Sequence, residues 1–269
     1  MRNYRKRQWI LCVLILALWM GNGGFAAVAQ AKTKSQDKKY YRKSVEWGLS
    51  LNKHKTPGGS VPYNGFSLKK YGAYYHGSTK AKTIYLTFDC GYENGHTKQI
   101  LKILKKNQIK AIFFITKDYL MENPGLVKKM KKQGHMVGNH TCNHPRLAKC
   151  SKKKIRAEVQ GLEQLMLQKT GYTMDKFIRP PEGNYSIKAL RTLQEMGYTT
   201  ILWSLAWYDY IENDQPSVET VVSKFKTYHH KGMIPLIHVI SSADTKALPQ
   251  IIRYMRSKGY QFGTVDMLK

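Results

Sequence analysis

Short apolar runs rich in β-branched and aromatic residues alternate about seven times with helical patterns from Thr83 to the end of the chain, and few folds accept that order. The runs are Thr83 to Phe88, Ala111 to Ile115, His135 to Gly138, Lys176 to Ile178, Thr199 to Trp203, Ile234 to Ile237 and Gln261 to Thr264. The helical stretches carry their own punctuation. Ser151, Ser186 and Ser217 stand where a side-chain oxygen caps a first turn, Pro124 follows Asn123, and Gly197 and Gly259 stand where the chain leaves a helix. The last helix is read from Leu248 to Met255. Such alternation gives an α/β fold with a mostly parallel sheet under helices, and about seven units in roughly 190 residues suit a distorted (β/α) barrel of about seven parallel strands, closed or nearly so.

The polar residues gain meaning from that frame. Asp89 ends the first strand, His140 and His144 follow the third, Arg179 ends the fourth, Asp209 follows the fifth and His238 ends the sixth. In a parallel barrel those ends share one face, which is where active sites lie. Two imidazoles four residues apart can meet one cation, because neutral imidazole is a common ligand of zinc-like metals; alone, the same spacing also describes two loop histidines.

Four segments in order, Thr87 to Asp89, His140 to His144, Arg179 to Gly183 and Leu236 to His238, resemble the motifs of the NodB-type polysaccharide deacetylases, a carbohydrate esterase family. The resemblance covers about Lys82 to Lys269. Thr83 to Gly95, with Trp47-Gly48 and Tyr71 to Gly77 in the leader, look most like the spore-cortex branch that removes acetyl groups from muramic acid on the way to the muramic delta-lactam.

The resemblance implies a NodB-like barrel and a hydrolase of linear amide C–N bonds. It also implies a divalent metal, zinc by preference, on His140 and His144, with Asp89 as base paired to Arg179 and His238 as acid. Asp209 would keep His238 charged and oriented, although the family's Asp-x-x-Asp-Trp pattern appears only as the looser Trp207 to Tyr210, so a loop-capping Asp is the other reading. These parts match the chemistry. An amide is a poor electrophile whose hydrolysis needs an activated water, a site for the oxyanion and a proton for the leaving amine.

Cys90 is the main departure, since most of the family carries a second Asp there as a third metal ligand. Either the thiolate replaces that carboxylate and gives a soft Cys-His-His site, or the thiol touches no metal. Of the four cysteines, Cys12 lies in the apolar start, so an exported chain would hold three thiols, Cys90, Cys142 and Cys150, an odd count that argues against a disulfide framework, although a Cys142–Cys150 bridge stays open. Trp207 and Tyr210 offer flat faces to a sugar ring, or simply pack. Trp203, inside its strand, reads as core. Tyr92 and Asn94 follow Asp89 in the first loop, where they read as substrate contacts or as ordinary turn residues.

Arg2, Arg5, Lys6 and Arg7 precede an apolar core from Trp9 to Met20, and small residues reach Ala31. Residues 1–31 therefore read as a secretory signal peptide, with a retained membrane anchor as the alternative. Residues 32–81 read as a basic tether and irregular leader, and 82–269 as one catalytic domain, a monomer. Forty-five Lys and Arg against 17 Asp and Glu give a net charge of +28, which favours a polyanion. The basic runs fall on outer helix faces without interleaved aromatics, so for an extracytoplasmic protein the expected partners are peptidoglycan glycan strands and anionic cell-wall polymers, and no nucleic acid. Alternatives are an N-acetylglucosamine deacetylase of wall or chitin-like glycans, and a catalytically impaired wall-binding protein.

Overall fold

The computed structural model describes residues 30–268. The basic start and apolar core of the expected signal lie outside the described residues, among which no helix is long and apolar enough to cross a membrane. The chain divides into two compact units, Met1–Tyr41 and Arg42–Lys269. Of the first, residues 30–39 form a helix, α1.

The second unit starts in the leader, part of which has regular structure instead of the expected irregular course. Strands β1 (Leu49–Asn52) and β2 (Lys55–Gly59) form an antiparallel hairpin, and β3 (Ala73–Tyr74) joins the main sheet. The expected run from Thr83 to Phe88 divides at Leu86 into β4 (Thr83–Tyr85) and β5 (Thr87–Cys90). There follow α2 (Thr97–Lys106), β6 (Ile112–Ile115), α3 (Lys117–Glu122), α4 (Pro124–Lys132), β7 (Met136–Asn139), α5 (Lys152–Thr170), β8 (Phe177–Ile178) and α6 (Ile187–Glu195). The chain ends with β9 (Thr199–Ile201), α7 (Val218–Tyr228), β10 (Leu236–His238), α8 (Ser242–Ser257) and β11 (Gln261–Gly263).

Seven strands run in the order β10-β5-β6-β7-β8-β9-β3, every pair parallel. The sheet is curled, and a bridge between Leu205 and Pro235 links the chain beyond β9 to the start of β10. β11 pairs with β4 as a separate parallel ribbon. Strand alternation sorts the apolar side chains into two layers. Tyr85, Ile112, Phe114, Phe177, Ile201 and Ile234 form the inner cluster. Phe88, Cys90, Phe113, Ile115 and Val137 belong to the larger cluster shared with the helices.

The serine caps form as the sequence predicts: Ser151, Ser186 and Ser217 accept the backbone N–H of Lys154, Ala189 and Thr220 at 3.0–3.2 Å. The last helix departs from expectation. It begins at Ser242, not Leu248, and carries Pro249 inside it.

Gly138 on β7 makes room for the inner layer. A Cβ there would lie 2.7 Å from the Phe114 ring and 2.9 Å from the Phe177 carbonyl. Gly138→Ala is therefore expected to lower stability by about 1–3 kcal/mol through overpacking, seen as an earlier thermal melt with far-UV circular dichroism unchanged.

Candidate active site

All the parallel strands end on one face, and there a cavity of about 670 Å³ is lined by Asp89, Tyr92, His140, His144, Glu182, Trp203, Trp207, Tyr210 and His238, among others. The register of β5 and β10 sets Asp89 directly beside His238.

Arg179 is fully buried at the end of β8 and braces Asp89 from within the sheet. Its Nη1 donates to Asp89 Oδ1 at 2.7 Å and its Nη2 to Thr87 Oγ1 at 2.7 Å, while Nε reaches the Ile201 carbonyl at 3.2 Å. Phe114 and Trp203 flank the guanidinium, with ring centroids 4.6 and 5.7 Å away. Burial alone would raise the Asp89 carboxyl, but the Arg179 guanidinium, through its charge and its hydrogen bond, and the neighbouring His238 outweigh it and hold the carboxyl below its ordinary value. Asp89 is thus a poised carboxylate with Oδ1 engaged and Oδ2 turned toward His140.

The histidine pair sits on a kinked loop. Thr141 and His144 both adopt left-handed backbone, at φ 69° and 51°, a conformation costing about 1–3 kcal/mol each for residues other than glycine. Three contacts hold it. Asn139 Oδ1 accepts the Thr141 N–H at 2.8 Å, Thr141 Oγ1 accepts the His144 N–H at 3.1 Å, and the buried Glu158 carboxylate on α5 takes both the backbone and side-chain N–H of Asn143 at 2.8 Å. Glu158→Ala should release this loop, costing about 1–3 kcal/mol of stability by orphaning the Asn143 donors, which a thermal melt reads.

The kink brings the two imidazole centroids to 4.9 Å at 74°. His140 Nδ1–H donates to the Arg179 carbonyl at 2.8 Å, which fixes the tautomer and leaves Nε2 as a lone pair 3.6 Å from Asp89 Oδ2. Burial lowers His140 to about 4 and also lowers His144, so both rings are neutral donors at neutral pH. Two such nitrogens fit a zinc-like ion.

Cys90 does not join them. Next to Asp89 on an extended strand, it points to the opposite face, fully buried with Phe88, Ile115 and Leu120. Burial first, then the Asp89 and Glu93 charges, raise its thiol well above the ordinary value, so it stays protonated. Among the described residues no group of three or more His, Cys, Asp and Glu side chains is placed to hold a metal. All three described cysteines are free.

His238 is organised from the other side. Its backbone N–H and its Nδ1–H both donate to the buried Asp209, at 2.9 and 2.7 Å, so Nε2 is left for the cavity. Burial would lower its pKa, but Asp209 and Asp89 outweigh that and raise it above the ordinary value. Asp209 is thus the partner of His238 and not a loop cap.

Tyr92, Trp207 and Tyr210 line the cavity, and Tyr210 presents an edge to His238 at 5.7 Å. Asn94 does not line it. Its Nδ2 donates to the Ile240 carbonyl at 2.9 Å and to Glu212 at 3.2 Å, tying the first loop to the chain after β10. Trp203 is buried, as expected of core, and also walls the cavity, and Trp47 from the leader donates to its carbonyl at 3.0 Å. Glu182 was not anticipated. A left-handed φ of 55° places it in the cavity wall, where Arg146 pairs with it at 3.3 Å.

A buried carboxylate held by arginine, faced by a histidine held by aspartate at the strand ends of a curled parallel sheet, defines an acid–base hydrolase. The chain belongs to the polysaccharide deacetylase family, a family of hydrolases acting on amide C–N bonds: that family's model matches residues 76–201, and relatives extend the match. The peptidoglycan-N-acetylmuramic acid deacetylase PdaA of Bacillus subtilis is 34% identical over 252 residues, 93% of this chain and 95% of that protein. An uncharacterised 30.6 kDa protein of Geobacillus stearothermophilus is 39% identical over 83% of this chain and 84% of its own length. The solved structure of Bacillus subtilis PdaA, a family 4 carbohydrate esterase, superposes with a TM-score of 0.80 at 34% identity, covering 84% of this chain and 97% of that one.

Proposed function

We propose that the chain is an exported, metal-assisted N-deacetylase of peptidoglycan whose target is N-acetylmuramic acid. The observation that carries the reading is the pairing of Asp89 with His238 across one cavity, each braced by its own buried partner. Substrate class is supported by the relative PdaA, which matches nearly the full chain. Export is supported by the signal-like first 31 residues, whose fate as a cleaved signal or an anchor is part of the test. A net charge of +28 suits a wall of carboxylates and phosphodiesters.

Asp89 takes a proton from the water that adds to the acetyl carbonyl. Arg179 keeps that carboxylate ionised and fixed. When the tetrahedral species collapses, the C–N bond breaks and His238 Nε2 delivers its proton to the departing nitrogen, giving acetate and a free amine. His140 and His144 would hold the divalent ion, zinc by preference, which when bound polarises the carbonyl and acidifies water. Trp207, Tyr210 and Tyr92 offer ring faces and edges to the glycan.

The test is acetate release from purified peptidoglycan by residues 32–269, with and without a chelator, followed by mass spectrometry of the fragments. Release that stops with chelator and returns with zinc, and loss of acetyl from muramic acid, is the expected result. Loss from N-acetylglucosamine instead moves the target to that sugar. No release with any metal, while the protein still pellets with walls, leaves a wall-binding protein.

A further inference from the structure

Behind the Asp209–His238 pair lies a second buried carboxyl that the mechanism leaves unused. Asp244, in the first turn of α8, is 4% exposed. Its Oδ1 accepts the Trp207 indole N–H at 3.1 Å, and its own backbone N–H goes to the Ser241 hydroxyl at 3.1 Å. Its Oδ2 is buried and has no partner that could donate to it. The neighbouring carboxyl that acts on Asp244, by charge and by side-chain hydrogen bonding, is that of Asp209. Both oxygens of Asp209 already accept from His238, and Asp209 is itself fully buried.

Two buried carboxylates side by side repel and leave an acceptor facing an acceptor; one proton placed between them removes the repulsion and turns that contact into a hydrogen bond. Both Asp209 oxygens are taken up by His238 donors, whereas Asp244 Oδ2 receives none. The proton therefore belongs on Asp244 Oδ2, whose only claim to a partner is to donate.

We propose that Asp244 is a positioning residue for His238: its carboxyl donates a hydrogen bond to Asp209, steadies the Asp209–His238 pair from behind, and couples that pair to the cavity wall through the Trp207 indole. Burial and the Asp209 charge push the Asp244 carboxyl well above the usual carboxylate range, consistent with a neutral acid. The helices packed against α8, α2 and α7, add no charged group to the strongest influences on Asp244, which are Asp209, the Trp207 N–H and the Ser241 hydroxyl. His238 in turn feels Asp209, Asp89 and Arg179. The chain Trp207–Asp244–Asp209–His238 thus links a glycan-facing ring to the proton donor, so a sugar that presses on Trp207 presses on the acid.

The catalytic part of this inference rests on His238 being the acid, so the test includes readouts on the protein alone. Asp244→Asn replaces O–H by N–H, keeps the Trp207 acceptor and changes no charge if Asp244 is neutral. Its His238 pKa, followed by NMR of labelled histidine, should match wild type, its kcat should stay close to wild type, and the infrared difference spectrum should show loss of a protonated carboxyl band. Asp244→Leu removes the donor. There kcat should fall about 10- to 100-fold with KM little changed, and the His238 pKa should rise because Asp209 then bears on it undiluted. A lowered His238 pKa in Asp244→Asn, with loss of a carboxylate band, would show an ionised Asp244 and overturn the proposal, as would unchanged kcat in a folded Asp244→Leu. If Asp244→Leu does not fold, the NMR and infrared results on Asp244→Asn decide alone. If acetate release fails altogether while both spectroscopic results hold, the functional reading falls and the hydrogen bond stands.

Discussion

Asp89→Asn is expected to lower kcat for acetate release by about a hundred- to ten-thousand-fold, the range associated with loss of a positioned general base, while leaving wall binding intact. The substitution is the mildest that removes the charge. The Asn carbonyl can still accept from Arg179 Nη1, where Asp89 Oδ1 now sits at 2.7 Å, so the sheet end keeps its shape. What changes is the second oxygen, which becomes an amide N–H₂ beside His140 Nε2, a neighbour at 3.6 Å. A water in the cavity then loses its proton acceptor, and no other described carboxylate takes its place. Asp209 is committed to His238, and Glu182 is paired with Arg146. Kinetics on peptidoglycan fragments, with a parallel wall-pelleting assay, separate the two effects. Activity within tenfold of wild type, or a matching loss of pelleting, would remove Asp89 from the role of base.

How much of this was legible in the sequence follows the range of each signal. Strand alternation and serine caps are local, so the barrel-like order and five of the polar strand ends can be read from spacing. Strand β3 cannot, because two residues carry no period and its partner β9 lies more than 120 positions away. Cys90 was open because a motif places a residue in a row without saying which face of the strand it takes; the alternation that aims Asp89 inward aims Cys90 outward. Glu158 and Asp244 act from helices on loops elsewhere in the chain, and Asp244 was further hidden because Pro249 masks the true start of α8 at Ser242. Glu182 reaches the cavity only through a left-handed backbone that nothing in its side chain announces.

Arg179→Met is expected to be the most destabilising single change in the site, because Met matches much of the side-chain length and none of the charge. It would leave the Asp89 carboxylate buried without its partner, a situation that costs about 3–5 kcal/mol, and it also strips donors from Thr87 Oγ1 and the Ile201 carbonyl. At about 2–4 °C per kcal/mol for a chain of this size, the melt should move down by roughly 6–20 °C. The pH dependence has a fixed sign. Arg179 holds Asp89 below its ordinary value in the folded state, so the stabilisation from the pair is fully present above the unfolded carboxyl's pKa and is lost as pH falls through the folded one. Without the guanidinium that carboxyl titrates higher, and the acid limb of the residual activity moves to higher pH. The double variant Asp89→Asn with Arg179→Met removes charge from both partners, and it should recover part of the melting temperature while recovering no activity. Recovery of both, or a melt unchanged in Arg179→Met alone, would mean that Arg179 does not carry the end of β8 and that Asp89 finds its counter-charge elsewhere in the cavity.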